Sequence, residues 1–558
     1  MTSGNPRLVA AGLMLIAALS IGPGLGQATF WEPDEPRFAE ATRQMFARAD
    51  FITPYLNGVP RFEKPILFYW FQALAYTILG PSELAARLPS ALAGIGSVLL
   101  LYLLASRITS HRAAILAALA LATTFRFVVY ARQGLTDVPV LFFNVAALYG
   151  FVRATESPPS RAAPWLAWTA VGLGVLTKGP IGVLSVVIWG AYAAVCRQWP
   201  LVTQVRPLGG LALATLIAAP WYLLMAAMYG RAWVDFALGR EIVARAVSEG
   251  FTPSRGFFYY VKVWPGDAAP WSVLFVAALA WLALRWRTLD DSVRRPVVFA
   301  MTWFGTVFIL FSLSRSKLAH YIIPTYPAAA LVIGIFIDQI ARRPMEARWW
   351  RVPMIVVAAT AIVAAGVLAW SLDVLMPGAS WPERRLVSIV LAGGGVMVAL
   401  LAWRSAVLAA VSLSVTLAAT FAVIGVVIVP HAVEGFKPMP RLARAAEPLA
   451  EPEARIGLVG AYGASSLIYY SHHNIHWLGD EASTMTFLTT RPHALCVMPA
   501  TQFERLAPHL PPNIRVVDSA EEFNVRIERL MERKRTPGRT WVLVANGNAE
   551  STSAATTR

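Results

Sequence analysis

Apolar stretches of roughly 18–22 residues recur along the chain, at about 8–28, 84–106, 113–131, 136–152, 164–177, 180–196, 208–228, 269–284, 296–314, 320–340, 352–371, 386–403 and 405–429. Each is long enough to cross about 30 Å of hydrocarbon as a helix, so the pattern predicts a mainly α, polytopic membrane protein with about 13 transmembrane helices. Three polar segments interrupt it: 29–83, 229–268 and everything after Val429. The other connections are short, so chemistry is sought in these three.

The last segment changes period. Runs such as "ARIGLVGA", "NIHWLGD", "HALCVMPA", "NIRVVDSA" and "TWVLVANG" read as short buried strands, with "ASSLIYYSHH", "TQFERLAPHL" and "EEFNVRIERLMERKR" as helices between them. That alternation predicts a membrane domain over 1–430 followed by a soluble α/β domain over 431–558 with a largely parallel sheet. "GLVGAYGAS" places glycines after a strand but lacks the G-x-G-x-x-G spacing and the later acidic residue of a dinucleotide site. The final "NAESTSAATTR" reads as a disordered tail.

Composition agrees with the periodicity: of 558 residues 57% are hydrophobic and 14% charged, and mean hydropathy is +0.55, more apolar surface than a soluble core can hide. The formal net charge of +16 raises nucleic acid as a partner, and its distribution argues against it. Arg107, Arg112, Arg153, Arg161, Arg197, Arg206, Arg285, Arg287, Arg294, Arg295, Arg342, Arg343, Arg348, Arg351 and Arg404 fall in alternate short loops, as basic residues do on the cytoplasmic side. The expected topology has a cytoplasmic N-terminus, a first span that is an anchor rather than a cleaved signal, and a C-terminal domain outside. Cys196 and Cys496 then lie on opposite sides, and no disulfide is expected. No repeat of 20–50 residues appears, nor matching halves with glycine-broken spans of the transporter kind.

Charge gathers at the expected outer face. "TFWEPDEPRFAEATRQMF" sets Asp34, Glu35 and Arg37 just beyond the first span, and "RFEKPILFYW" sets Arg61, Glu63 and Lys64 before an aromatic helix; both stretches read as short helices in the interface plane. Asp137 in "GLTDVPV" is either the N-cap of the next helix or a functional carboxylate at the depth of Asp34. Lys178, Arg240, Arg245, Arg255, Lys262, Arg315, Lys317 and His320 fall on the same face. Each alone could be a snorkelling anchor. Together, on the face where basic residues should be scarce, they call for an anionic partner such as phosphate. Carboxylates and cations in one outer cavity suit a lipid-linked sugar phosphate. A divalent metal on Asp34, Glu63 and Asp137 is left open, with no histidine-rich spacing to argue for one.

"PDEPRFAE", "EKPILFYW", "GLTDVP", "TKGP", "GRE" followed by "GFFYY" and "PW", and "SRSKLAHYIIPTYPA" together resemble the polyprenyl-phosphate-sugar-dependent glycosyltransferases of the GT-C fold. Among these the chain is similar to the family of 4-amino-4-deoxy-L-arabinose lipid A transferases. The resemblance implies transfer of the aminosugar from undecaprenyl phosphate to lipid A phosphate at the periplasmic face of the bacterial inner membrane, with resistance to polymyxin and cationic peptides. It implies that Asp34 and Asp137 are the catalytic acids, that Arg37, Lys64, Arg245, Arg255, Lys317 and Tyr321 bind donor or acceptor, and that Glu35, Glu63 and Lys178 support them. The implied partners are the undecaprenyl-linked sugar, lipid A and membrane lipids. The alternatives are another GT-C enzyme, such as a protein O-mannosyltransferase, and, outside enzymology, a lipid flippase or transporter.

Overall fold

The computed structural model describes residues 5–547 except 238, 240–254, 377–378, 452–453, 461–462, 523, 525–531 and 533–535. The first part of the chain is a helical bundle. Its opening elements are α1 (Pro6–Ile21), α2 (Asp34–Arg48), a small hairpin of β1 (Tyr55–Leu56) and β2 (Val59–Pro60), α3 (Leu67–Leu79), α4 (Glu83–Ile108), α5 (His111–Ala122), α6 (Phe125–Ala131), α7 (Asp137–Ala154), α8 (Ala163–Lys178) and α9 (Leu184–Val195). Helix starts follow local chemistry: Ser82 and Ser110 accept from the backbone N–H groups of Ala85 and Ala113, supplying partners that a first turn lacks.

Among the described residues nine helices are long and apolar enough to cross a bilayer, or eleven if each of two bent pairs is one span. One bent pair is α5 with α6, turned by 63°; the other is Tyr259–Asp267 with Trp271–Thr288, turned by 116°. The stretch Ala163–Val195 passes as a single span, yet it doubles back. A Cβ on Gly182 would lie 2.1 Å from Val175 N and 2.3 Å from Gly174 C, a proximity that no straight helix allows eight residues apart. The reversal falls at Gly179, whose φ of +61° suits glycine. Counting that hairpin as two crossings, and adding the shorter apolar α1, restores the number of spans expected from the sequence.

One end of the bundle gathers the arginine-rich connections. Asp338 is buried there between Arg112 and Arg342, Glu156 forms ion pairs with Arg153 and Arg107, and Glu346 with Arg285. At the opposite end, the loop helices α2 and α3 carry the C-terminal domain. Phe30, Ala39, Tyr76 and Ala86 share one apolar cluster with Met439, Leu442, Leu467 and Trp541.

That domain is built on a five-stranded sheet in the order β4-β3-β5-β7-β6, with β3 Ile456–Val459, β4 Ile475–Leu478, β5 Leu495–Pro499, β6 Ile514–Glu521 and β7 Thr540–Asn546. All five expected strands are present. The expectation of a largely parallel sheet is corrected: β3 runs parallel to β4 and β5, whereas β7 is antiparallel to both β5 and β6. The reason lies in β6, an edge strand with Arg515 and Val516 facing solvent. One wet face is a feature of antiparallel pairing and foreign to a doubly covered parallel sheet. The helix expected over 521–535 lies largely outside the described residues. Cys196 and Cys496 are free thiols.

The close reversal predicts that Gly182→Val, which forces a side chain into the backbone of α8, lowers stability by about 1–3 kcal/mol. Thermal unfolding in detergent reads this; an unchanged midpoint would contradict the packing of Gly182 on Gly174.

Candidate active site

The site starts from a buried ion pair that fixes where the loops sit. Glu35, 1% exposed, and Arg87, 2% exposed, meet in a two-armed contact of 2.8 and 2.9 Å. Arg87 also donates to the carbonyls of Leu25, Ala28 and Thr29, and Glu35 accepts from the backbone N–H groups of Trp31 and Gly134. The arrangement ties the exit of α1, the start of α2, the first turns of α4 and the turn before α7 into one knot. Glu35 is therefore consumed by the scaffold. Its neighbour Asp34 points elsewhere, half exposed, 3.4 Å from Arg37, and Arg37 Nε reaches Ser465 Oγ of the sheet domain at 3.2 Å.

Amphipathic spacing explains α2. Phe38, Ala41, Thr42 and Met45 recur on its buried face, and Thr42 donates to Gln72 of α3. Behind that face Arg61 is buried, stacked over Phe38 at 4.6 Å and 2.8 Å from Glu63 Oε2. Burial alone would lift the Glu63 carboxyl, but the Arg61 guanidinium, and Lys64 beyond it, hold it below its ordinary value of 4.5. Lys64 Nζ donates to the Glu63 carbonyl at 3.1 Å.

Asp137 opens α7. Of its two sequence readings, helix cap or functional carboxylate, the structure favours a carboxylate aimed at side chains: Lys178 Nζ lies 2.6 Å away and His320 Nε2 3.9 Å away. Lys178 ends α8, where the helix dipole favours a cation. The Lys178 turn is held in place by Asn144 of α7, which donates to Ile181 O and accepts from Ser185 N. His320 stacks on Tyr130 with ring centres 5.0 Å apart and meets Tyr321 edge to face at 4.9 Å. Tyr321 in turn lies under Lys178 at 5.9 Å. Lys64 falls within electrostatic reach of Asp137, and Asp34 within reach of His320 and Tyr130. Asp34, Lys64, Asp137, Lys178, His320 and Tyr321, drawn from five separate stretches of sequence, thus share one locality at the end of the bundle that carries the sheet domain.

Lys317 and Arg255 form an adjoining group. Lys317 Nζ donates to Ser314 O, and its own carbonyl accepts from Arg255 at 3.2 Å. Arg255 also contacts the Tyr259 hydroxyl and lies over that ring at 4.5 Å. Arg245 lies outside the described residues. The sequence left a divalent metal open; among the described residues no three histidine, cysteine, aspartate or glutamate side chains group closely enough to hold an ion. Asp34, Glu63 and Asp137 each sit beside a cation instead, Arg37, Arg61 and Lys178 respectively. His320 was among the basic residues that the sequence places on this face, whereas Tyr130 and Ser465 were not candidates; Ser465 lies more than 400 positions from Arg37 and carries no local signal.

A family model described as dolichyl-phosphate-mannose-protein mannosyltransferase matches residues 63–223. An undecaprenyl phosphate-alpha-4-amino-4-deoxy-L-arabinose arabinosyl transferase of Pseudomonas aeruginosa (strain LESB58) is 33% identical over 338 residues, 59% of this chain and 58% of that one. One of Pectobacterium carotovorum is 29% identical over 68% of this chain and 67% of its own length. The match thus spans less than two thirds of the length of the Pseudomonas relative. The crystal structure of ArnT from Cupriavidus metallidurans bound to undecaprenyl phosphate is similar over 98% of this chain and 99% of that one, with a TM-score of 0.75 at 24% identity. The archaeal oligosaccharyltransferase AglB from Archaeoglobus fulgidus is similar over 91% of this chain, with a TM-score of 0.53 at 14% identity. The fold is that of the GT-C polytopic membrane proteins. Within that class the chain is similar along part of its length to the aminoarabinose transferases named above.

The 2.6 Å contact between Asp137 and Lys178 predicts non-additive mutants. Asp137→Asn and Lys178→Met should each lower thermal stability in detergent, and the double variant should recover about 1–3 kcal/mol relative to the sum. Strict additivity would contradict the pairing.

Proposed function

We propose that the chain transfers 4-amino-4-deoxy-L-arabinose from undecaprenyl phosphate to a phosphate group of lipid A, at the periplasmic face of the bacterial inner membrane. The observation that carries this reading is the cluster around Asp137, in which two carboxylates, two lysines and a histidine meet beside the start of α2. The relatives named for this reaction support it. The orientation is supported by the arginine-rich connections, which favour the cytoplasmic side and lie at the opposite end of the bundle from the cluster and the sheet domain.

In the proposed reaction the bond between the sugar's anomeric carbon and the undecaprenyl phosphate oxygen breaks, and an acceptor phosphate oxygen forms the new bond to that carbon. Lys64 and Arg37 bind the donor phosphate and neutralise the charge it gains on leaving, with Arg255, Lys317 and Tyr321 flanking the donor. Asp34 faces the reacting carbon and offsets its developing positive charge. Asp137, held by Lys178, orients that end of the site. A phosphate monoester is already anionic near neutral pH, so the acceptor needs no general base to take its proton. A serine hydroxyl would need one, and the mannosyltransferase alternative, which the match over 63–223 brings to mind, requires that step. Placing a cationic sugar on lipid A lowers its negative charge, the change that weakens binding of cationic peptides.

Purified protein in detergent is expected to consume undecaprenyl-phosphoryl aminoarabinose only when lipid A is supplied, with a mass increase on the lipid. Consumption that ignores lipid A would overturn the reading. Asp34→Asn is expected to lower turnover about 10²-fold or more without recovery at alkaline pH; strong alkaline rescue would restore the general-base mechanism.

A further inference from the structure

Two buried donors lie beside the site with nothing to donate to. Arg61 follows β2, where its backbone N–H is fixed on Pro54 O at 2.7 Å, and the residue is only 6% exposed. Its Nε is taken by Glu63 Oε2 at 2.8 Å, which leaves Nη1. Tyr69, in the first turn of α3, is wholly buried. Neither Arg61 Nη1 nor the Tyr69 hydroxyl finds a hydrogen-bond partner among the described residues. A guanidinium N–H or phenol O–H taken out of water without an acceptor is costly, and such groups in a folded protein call for an explanation.

Both donors lie against one residue of α2. Arg61 stacks over the Phe38 ring at 4.6 Å, and the Tyr69 ring centre is 5.3 Å from that of Phe38. Phe38 stands four positions after Asp34, which puts the two side chains on one face of α2, a turn apart. Helical side chains lean toward the N-terminus, so the Phe38 ring and the groups upon it sit beneath Asp34. Asp34 is within electrostatic reach of both Arg61 and Tyr69. Here its carboxylate turns outward instead, half exposed and 3.4 Å from Arg37, a pairing of the kind that water and salt weaken. A carboxylate supplies the acceptor oxygens that the buried guanidinium and phenol lack, and charge-assisted hydrogen bonds are the stronger kind. The acid thus has an outer seat on Arg37 and an inner one on Arg61 and Tyr69.

We propose that Arg61 and Tyr69 are positioning residues for Asp34: when the donor phosphate takes Arg37, the Asp34 carboxylate turns inward to Arg61 Nη1 and the Tyr69 hydroxyl. This rests on the proposed function, in which Arg37 binds the donor phosphate and Asp34 faces the anomeric carbon. No covalent bond changes in the move; hydrogen-bond partners are exchanged. The phosphate competes with Asp34 for Arg37, and the inner seat keeps the carboxylate paired and oriented once that contact is lost. Donor binding therefore sets the carboxylate that the reaction uses.

Arg61 also holds Glu63, so its loss disturbs the loop, whereas Tyr69→Phe removes only a hydroxyl that is idle in the unliganded protein. That variant should unfold in detergent at the wild-type midpoint or above it. Its turnover should fall about tenfold, the worth of a hydrogen bond to a charged group. Its Kd for undecaprenyl phosphate, measured by native mass spectrometry, should rise several-fold. In an Asp34→Ala background Tyr69→Phe should leave that Kd unchanged, because the carboxylate it serves is gone. A lower midpoint would mean that the hydroxyl is engaged at rest. Unchanged turnover and Kd, or an equal loss of affinity in both backgrounds, would mean that it does not act through Asp34. Any of these results overturns the proposal. If wild type transfers no sugar to lipid A while the Asp34-dependent change in Kd holds, the proposed reaction fails and the positioning pair stands. Transfer to lipid A without that change leaves the reaction standing and removes the pair.

Discussion

The active end of the molecule depends on the contact between Glu35 and Arg87. Both side chains are almost wholly removed from solvent, a costly condition for two charges unless every donor and acceptor finds a partner. Here the count closes: the guanidinium spans both carboxylate oxygens and three backbone carbonyls, and the carboxylate takes two backbone N–H groups besides. Each backbone partner belongs to a segment that must be placed correctly, Leu25 to Trp31 before α2 and Gly134 before α7. Asp34 follows one of these segments and Asp137 the other. Removing one partner of such a pair costs about 3–5 kcal/mol, so the knot resists the slippage that would separate the two carboxylates.

Around this scaffold the remaining charges are held in pairs whose exposure differs. Asp137 and Lys178 are mostly buried and in contact, whereas Asp34 and Arg37 are about half exposed and only loosely joined. Exposed pairs are worth about 0–1 kcal/mol, so Arg37 and Asp34 can part from each other at little cost, while Asp137 is anchored. On the proposed function, a rigid, partly neutralised interior beside a loosely paired rim would let an anionic lipid compete for the rim without disturbing the core. Arg37 is also the hinge between the two parts of the chain, since it touches Asp34 on one side and Ser465 on the other.

Much of this was legible in the sequence, and the gaps have physical causes. Spans could be read because a bilayer demands long apolar runs, and loop charges stood out because basic residues are scarce on one face. The hairpin at Gly179 was found for the same reason, as two apolar runs around "TKGP". Glu35 looked like part of the site because it adjoins Asp34, but successive residues on a helix point about 100° apart, and one turned inward to Arg87. Metal binding stayed open because sequence shows carboxylates without showing the cation beside each. The sheet was expected to be mostly parallel because apolar strands alternate with helices in the text of the chain; what decided the matter was the half-wet edge strand β6. Contacts such as Arg37 with Ser465 depend on tertiary docking and leave no mark in either local stretch.

Charges scattered over α2, the Glu63–Lys64 turn, α7, α8 and the segment around His320 come together at the sheet-domain end of the bundle, where the proposed function has them bind phosphate. The most direct measurement is an electron cryo-microscopy map of the protein with undecaprenyl phosphate in a lipid nanodisc. Phosphate density is expected within hydrogen-bonding distance of Lys64 or Arg37, on the Asp137 side of α2. Phosphate density at the arginine-rich end, or more than one helix diameter from both cations, would contradict it.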